Sequence, residues 1–154
     1  MDMLLALALS IGVLIAGWTY VALGPAGLPV WAGIVAWGAF FAAGGKMAGL
    51  QKTIAANLSG VLWAFVALTL SARLGGGLPI LSALVGVAAF AMVLQAKLPP
   101  LAFIPGAFLG AATTVSVVVG ASGTYVKSII ALVAGAVLGY LSELIASKVA
   151  KPAA

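Results

Sequence analysis

A chain of 154 residues that is 65% hydrophobic and 6% charged, with a mean hydropathy of +1.32, lacks the polar surface of a soluble domain, where about 25% of residues are charged. Seven Lys and Arg against two Asp and Glu leave a net charge of +5, scattered between apolar runs as membrane topology signals are, which excludes a basic nucleic-acid surface. With no Cys and no His, disulfides, the usual nitrogen and sulfur metal sites and nearly every common nucleophile–base pair are excluded, so neither a cofactor nor an enzyme is expected.

Apolar runs measured against a span of about 20 residues predict an all-α polytopic membrane protein with six transmembrane helices. The spans fall near residues 3–23, 28–43, 53–71, 79–96, 100–120 and 125–145. The breaks between them carry turn chemistry: Gly24-Pro25-Ala26-Gly27, Gly44-Gly45-Lys46, Gly75-Gly76-Gly77, Lys97-Leu98-Pro99-Pro100 and Ala121-Ser122-Gly123-Thr124. All are short, so residues 1–154 read as one transmembrane domain. The first run has Asp2 where a secretory signal needs a basic region, and it continues through Trp18 and Tyr20, so it reads as a retained span. Those two rings are expected at the far interface.

Six spans put both termini on one side. That side collects Lys46, Lys52, Lys97, Lys148 and Lys151, against Arg73 and Lys127 on the other. The bias places both termini in the cytoplasm.

The chain also resembles itself. Trp37-Gly38-Ala39-Phe40-Phe41 returns as Pro105-Gly106-Ala107-Phe108-Leu109 at a shift of 68, and Lys52, Ala56, Gly60 and Ala64 return as Lys127, Ala131, Gly135 and Gly139 at a shift of 75. Each copy holds three spans, about residues 3–74 and 78–148, so the second copy inserts upside down. Two inverted three-helix repeats are the architecture of many channels and transporters, with the solute path at the repeat interface.

Small residues four apart line one helix face and let another helix come close, which drives association in lipid. Ala56, Gly60 and Ala64 in the third span and Ala131, Gly135 and Gly139 in the sixth are the predicted packing faces. The short second span and a proline-glycine break at Pro105 and Gly106 in the fifth, mirrored by Gly38, point to backbone dipoles exposed at membrane depth. Trp37, Phe40, Phe41 and Phe108 around those breaks, with Asn57 and Thr113, make up the predicted substrate path. Asn57 and Gln95 are costly to bury in lipid and are expected to face a partner or a cavity. Glu143 lies near the basic end of the sixth span, as an interfacial carboxylate, so an ion-coupled pump is disfavoured.

The stretch from Leu28-Pro29-Val30-Trp31-Ala32 through Phe40-Phe41-Ala42-Ala43-Gly44-Gly45, then Lys52 to Gly60 and Phe103-Ile104-Pro105-Gly106-Ala107-Phe108-Leu109-Gly110, resembles the YcdZ-like family, small bacterial inner-membrane proteins grouped under a domain of unknown function. The resemblance implies a bacterial inner membrane and assigns no substrate. The Trp31 region with Lys52 and Gly60 more faintly resembles the six-span module of fusaric-acid-resistance and aromatic-acid exporters, whose cytoplasmic domains have no counterpart here. The expected function is an oligomeric channel or facilitator, passive rather than ion-coupled, for a small polar or anionic solute. The expected partners are the lipid bilayer, further copies of the chain and the solute, with no nucleic acid. The alternative is a non-transporting scaffold or regulatory subunit.

Overall fold

The computed structural model describes residues 1–150, so Lys151, one of the cations counted above, lies outside the described residues. Six α-helices follow one another: α1 (Met3–Leu23), α2 (Val30–Ala42), α3 (Lys46–Arg73), α4 (Leu78–Leu94), α5 (Ile104–Val115) and α6 (Tyr125–Val149). Their starts have local causes. The Asp2 carboxylate accepts the Leu5 N–H at 2.8 Å and caps α1, and the Thr124 hydroxyl accepts the Lys127 N–H at 3.2 Å and caps α6. α4 and α5 carry a proline in the first turn, where a helix needs no backbone donor.

α1, α3, α6 and the run from Leu78 to Lys97 are long and apolar enough to cross a membrane. α2 has 13 residues and α5 has 12. At 1.5 Å per residue both fall well short of a hydrocarbon core of about 30 Å. The structure thus holds six helices, of which four are candidate spans.

Two helix starts depart most from the expectation. α3 starts at Lys46, not near residue 53. Its polar first turns read as loop by hydropathy, although Lys and Gln are good helix formers. The fifth helix starts at Ile104, not near residue 100: Leu98, ahead of Pro99, is held extended, and Phe103 is still non-helical. Residues 95–101 form two 3₁₀ turns instead. Pro105 therefore opens α5 and does not interrupt it, so it frees no carbonyl inside a helix. The expected break at Gly38 is also absent: α2 runs through it unbroken, and Gly38 faces outward. The irregularity in the fifth segment comes at its other end, where Ser116–Gly120 widens into a π-helical turn.

α3 packs most extensively on α5, and α6 on α2. α1 lies against α6, α4 lies against α3, and α3 and α6 cross each other at the centre. α1 and α4 are peripheral, with large apolar side chains such as Leu4, Val13, Val87 and Phe90 exposed along them. In water such a surface would aggregate; in lipid it is the solvated face.

Candidate functional site

The predicted packing faces bury their small residues inside the chain. A side chain on Gly60 would strike the Ala107 carbonyl of α5, and one on Gly135 would strike the Gly33 carbonyl of α2. Gly139 receives the Phe40 and Trp37 rings, which stand 2.8 and 3.0 Å from where its Cβ would be. Ala56 faces Gly106, and Ala131 is buried with Trp18, Ala32 and Val117. Ala64 borders the groove described below. The backbones at Gly60 and Gly135 are so close that even alanine must displace them.

Where α3 crosses the centre, its buried face carries polar groups without partners. Asn57 is 1% exposed and Thr53 0%, and neither the Asn57 amide oxygen and nitrogen nor the Thr53 hydroxyl meets a hydrogen-bond partner among the described residues. Burying an unpaired amide costs about 1–3 kcal/mol on mutational scales, and more against hydrocarbon. Seventy-five residues on, the corresponding positions are Leu132 and Ser128. There the apolar side chain needs no partner, and the Ser128 hydroxyl bonds Thr114 at 3.0 Å. Thr114 also donates to the Gly110 carbonyl at 2.7 Å. The unpaired groups are therefore concentrated on α3.

The structure leaves an apolar groove of about 560 Å³ between α3, α4 and α5, bordered by Trp63, Ala67, Val85, Met92, Phe108 and Ala111 among others. Between α6, α1 and α2 the crevice is largely filled, leaving a smaller groove of about 250 Å³ between α1 and α6 beside Ser10. In the filled part Trp37 inserts its indole and donates to the Ser142 hydroxyl at 3.2 Å, while Ser10 donates to the Ser142 carbonyl at 2.9 Å. At offsets of 74 residues between α2 and α5 and 75 between the other pairs, Ala111, Ala67 and Val85 stand where the filled crevice has Trp37, Ser142 and Ser10. Three small or apolar replacements open the groove. Beside it, Trp63 donates to the Gln95 side-chain Oε1 at 3.0 Å and the Gln95 Nε2 donates to the Ser59 hydroxyl at 2.8 Å, which satisfies the second amide expected to need a partner.

The predicted path residues divide between these places. Phe40 is 0% exposed and sits edge-on to Phe41 and Tyr140, with ring centroids 5.1 and 6.4 Å apart. Phe108 is 41% exposed and borders the groove. Gly106 and Thr113 are buried on α5, Pro105 and Gly38 face outward, and Trp37 lies in the filled crevice. Sequence reasoning missed Thr53 and Ser128, although the shift of 75 aligns them and Thr53 lies one turn from Asn57. It also missed the groove, whose sequence signal is the alanine pair Ala111-Ala112 in the span matching that of Trp37.

Glu143 has a definite structural role. Its carboxylate accepts the Lys46 N–H at 2.6 Å, where Gly44, Gly45 and Lys46 run in succession through positive φ. A negative group there complements the start of α3. Because Glu143 is half-exposed, water screens the pair, and Glu143→Ala is expected to cost about 1 kcal/mol. Thermal unfolding of the detergent-solubilised protein measures it, and an unchanged melting temperature would remove the capping role.

Six helices with an apolar exterior, buried small-residue contacts and charges at the helix ends define a polytopic α-helical membrane protein. The family model described as "Protein of unknown function (DUF1097)" matches residues 8–147, and the chain belongs to this family. It is 38% identical over 142 residues to "Inner membrane protein YcdZ" of Escherichia coli (strain K12), covering 91% of this chain and 83% of that one. The protein of the same name from Salmonella typhimurium is 42% identical over 118 residues, covering 74% of this chain and 71% of that one. "Uncharacterized protein YahC" of E. coli is 32% identical over 116 residues, covering 72% of this chain and 68% of that one. The relatives' names support an inner-membrane location. The fainter resemblance to aromatic-acid exporters finds no support among these matches. No solved structure matches the chain.

Proposed function

We propose that this protein is a passive facilitator for a small polar solute, a transport protein and not an enzyme. In this reading the chain is two inverted three-helix repeats making six crossings, with both termini in the cytoplasm, and it works as a homo-oligomer. The observation that carries it is the buried, unpartnered Asn57 amide on α3, where Gly110 of α5 packs on the Asn57 backbone. A membrane protein keeps such a group where a passing solute or water can bond it.

The helix arrangement supports the repeat. α1 and α4 begin at Met3 and Leu78, an offset of 75, and α2 and α5 begin at Val30 and Ile104, an offset of 74. Exchanging α1, α2 and α3 for α4, α5 and α6 turns the α3–α5 contact into α6–α2, and α1–α6 into α4–α3. Short α2 and α5 fit crossings completed by the non-helical residues 24–29 and the turns at 95–103. The tight contacts at Gly60 and Gly135 leave little width inside one chain, which favours several copies.

Uptake by proteoliposomes of small amides, alcohols and carboxylates tests the transport reading, and flux above protein-free vesicles is the expected result. For orientation, a reporter active only in the periplasm should be active when fused after Gly76 and silent after Lys151; the reverse pattern inverts the topology. The scaffold reading draws on one observation, the apolar groove between α3, α4 and α5, which could receive a partner's membrane helix. Absence of flux for the whole panel, with a partner cross-linked through Phe108, would make that reading the better one.

A further inference from the structure

We infer that the Asn57 amide and the Thr53 hydroxyl form one binding site for a small neutral solute that both donates and accepts hydrogen bonds, an amide or urea and not an anion. This rests on the facilitator reading and names the class of what it carries. Asn57 offers an acceptor oxygen and a two-donor nitrogen, and Thr53 offers a hydroxyl that does either. All three atoms are buried and without partners among the described residues. Four residues apart on one helix, the two side chains are neighbours, at about 5–6 Å between Cβ atoms, so one molecule of a few heavy atoms can bond both. Gly110 of α5 packs directly on the Asn57 backbone, so α5 lies close against this stretch of α3.

The absence of charge selects the class. Every described Lys and Arg is exposed, and Glu143 is engaged at the start of α3. An anion at Asn57 would lose its hydration and meet only neutral dipoles, a poor exchange for a buried ion. A neutral solute exchanges its hydrogen bonds with water for equivalent ones with the amide and hydroxyl. The site is also one-sided. At the positions 75 residues on, Leu132 offers no polar group and the Ser128 hydroxyl is bonded to Thr114, so of these two matched pairs it is the α3 members that present free donors and acceptors.

Urea and nitrate are planar and similar in size, and they differ in charge. The full chain in liposomes, followed by stopped-flow light scattering, should pass urea and acetamide at least tenfold faster than protein-free liposomes. Nitrate, with potassium and valinomycin to balance charge, should stay at the protein-free rate. Asn57→Leu should return urea to the protein-free rate. Thr53→Val, which keeps the side-chain shape, should slow urea several-fold with its melting temperature retained. Nitrate flux equal to urea flux, or urea flux unchanged in both variants, would overturn the neutral-solute site and leave a facilitator. No flux of any probe through a folded wild-type protein would overturn the facilitator reading as well.

Discussion

Gly60→Ala and Gly135→Ala should each destabilise the protein by about 1–3 kcal/mol, the usual cost of forcing extra volume into a tight contact. The reason is where the added methyl lands. On Gly60 it meets the Ala107 carbonyl and the Ala111 nitrogen, and on Gly135 it meets the Gly33 backbone. Backbone atoms cannot swing away as a side-chain tip can, so α5 or α2 must move as a unit. The two sites lie in different helix pairs, and their effects should add within about 0.5 kcal/mol. Leu at either position should prevent assembly of the native fold altogether. Melting curves of the purified protein in detergent provide the check. Alanine variants as stable as wild type would mean that these helices do not meet at Gly60 and Gly135.

The second large effect separates two phenylalanines that the sequence presents as equivalents. Phe40→Ala should cost about 3–5 kcal/mol, the loss for truncating a buried aromatic, because Phe40 is enclosed by Gly139, Phe41 and Tyr140. Phe108→Ala should stay within about 0.5 kcal/mol, because that ring stands at the edge of the groove with one face outward. The same melting experiment reads both, and equal losses would contradict the arrangement. Phe40→Ala is therefore expected to damage the fold and not to widen a path.

The contrast between the phenylalanines shows how far self-similarity reaches. Trp37-Gly38-Ala39-Phe40-Phe41 and Pro105-Gly106-Ala107-Phe108-Leu109 share their central Gly-Ala-Phe at a shift of 68, yet Phe40 is buried near the end of α2 and Phe108 is exposed near the start of α5. The shift of 75, carried by Lys52 and Lys127, relates the starts of α1 and α4 and, within one residue, those of α2 and α5, while α3 and α6 start 79 residues apart. A few small and aromatic letters recur by chance in a chain of this composition. The start of a helix is constrained by caps, prolines and length together.

Composition and hydropathy alone determined that this chain lives in a membrane, that it is helical, and where its loops fall. Each of those properties sums over about 20 neighbouring residues and depends on no distant partner. The small-residue faces at Gly60 and Gly135 were legible for the same reason, since spacing along one helix defines them. Tertiary structure decided the rest. Ser10 bonds Ser142 across 132 residues, Trp37 fills most of one crevice while Ala111 leaves its counterpart open, and Thr53 is left without the hydroxyl partner that Ser128 finds in Thr114. Such outcomes depend on which helices cross and at what depth, and no local pattern contains that information. In lipid, one apolar face is as soluble as another, so only close backbone contact and buried hydrogen bonds choose the partners.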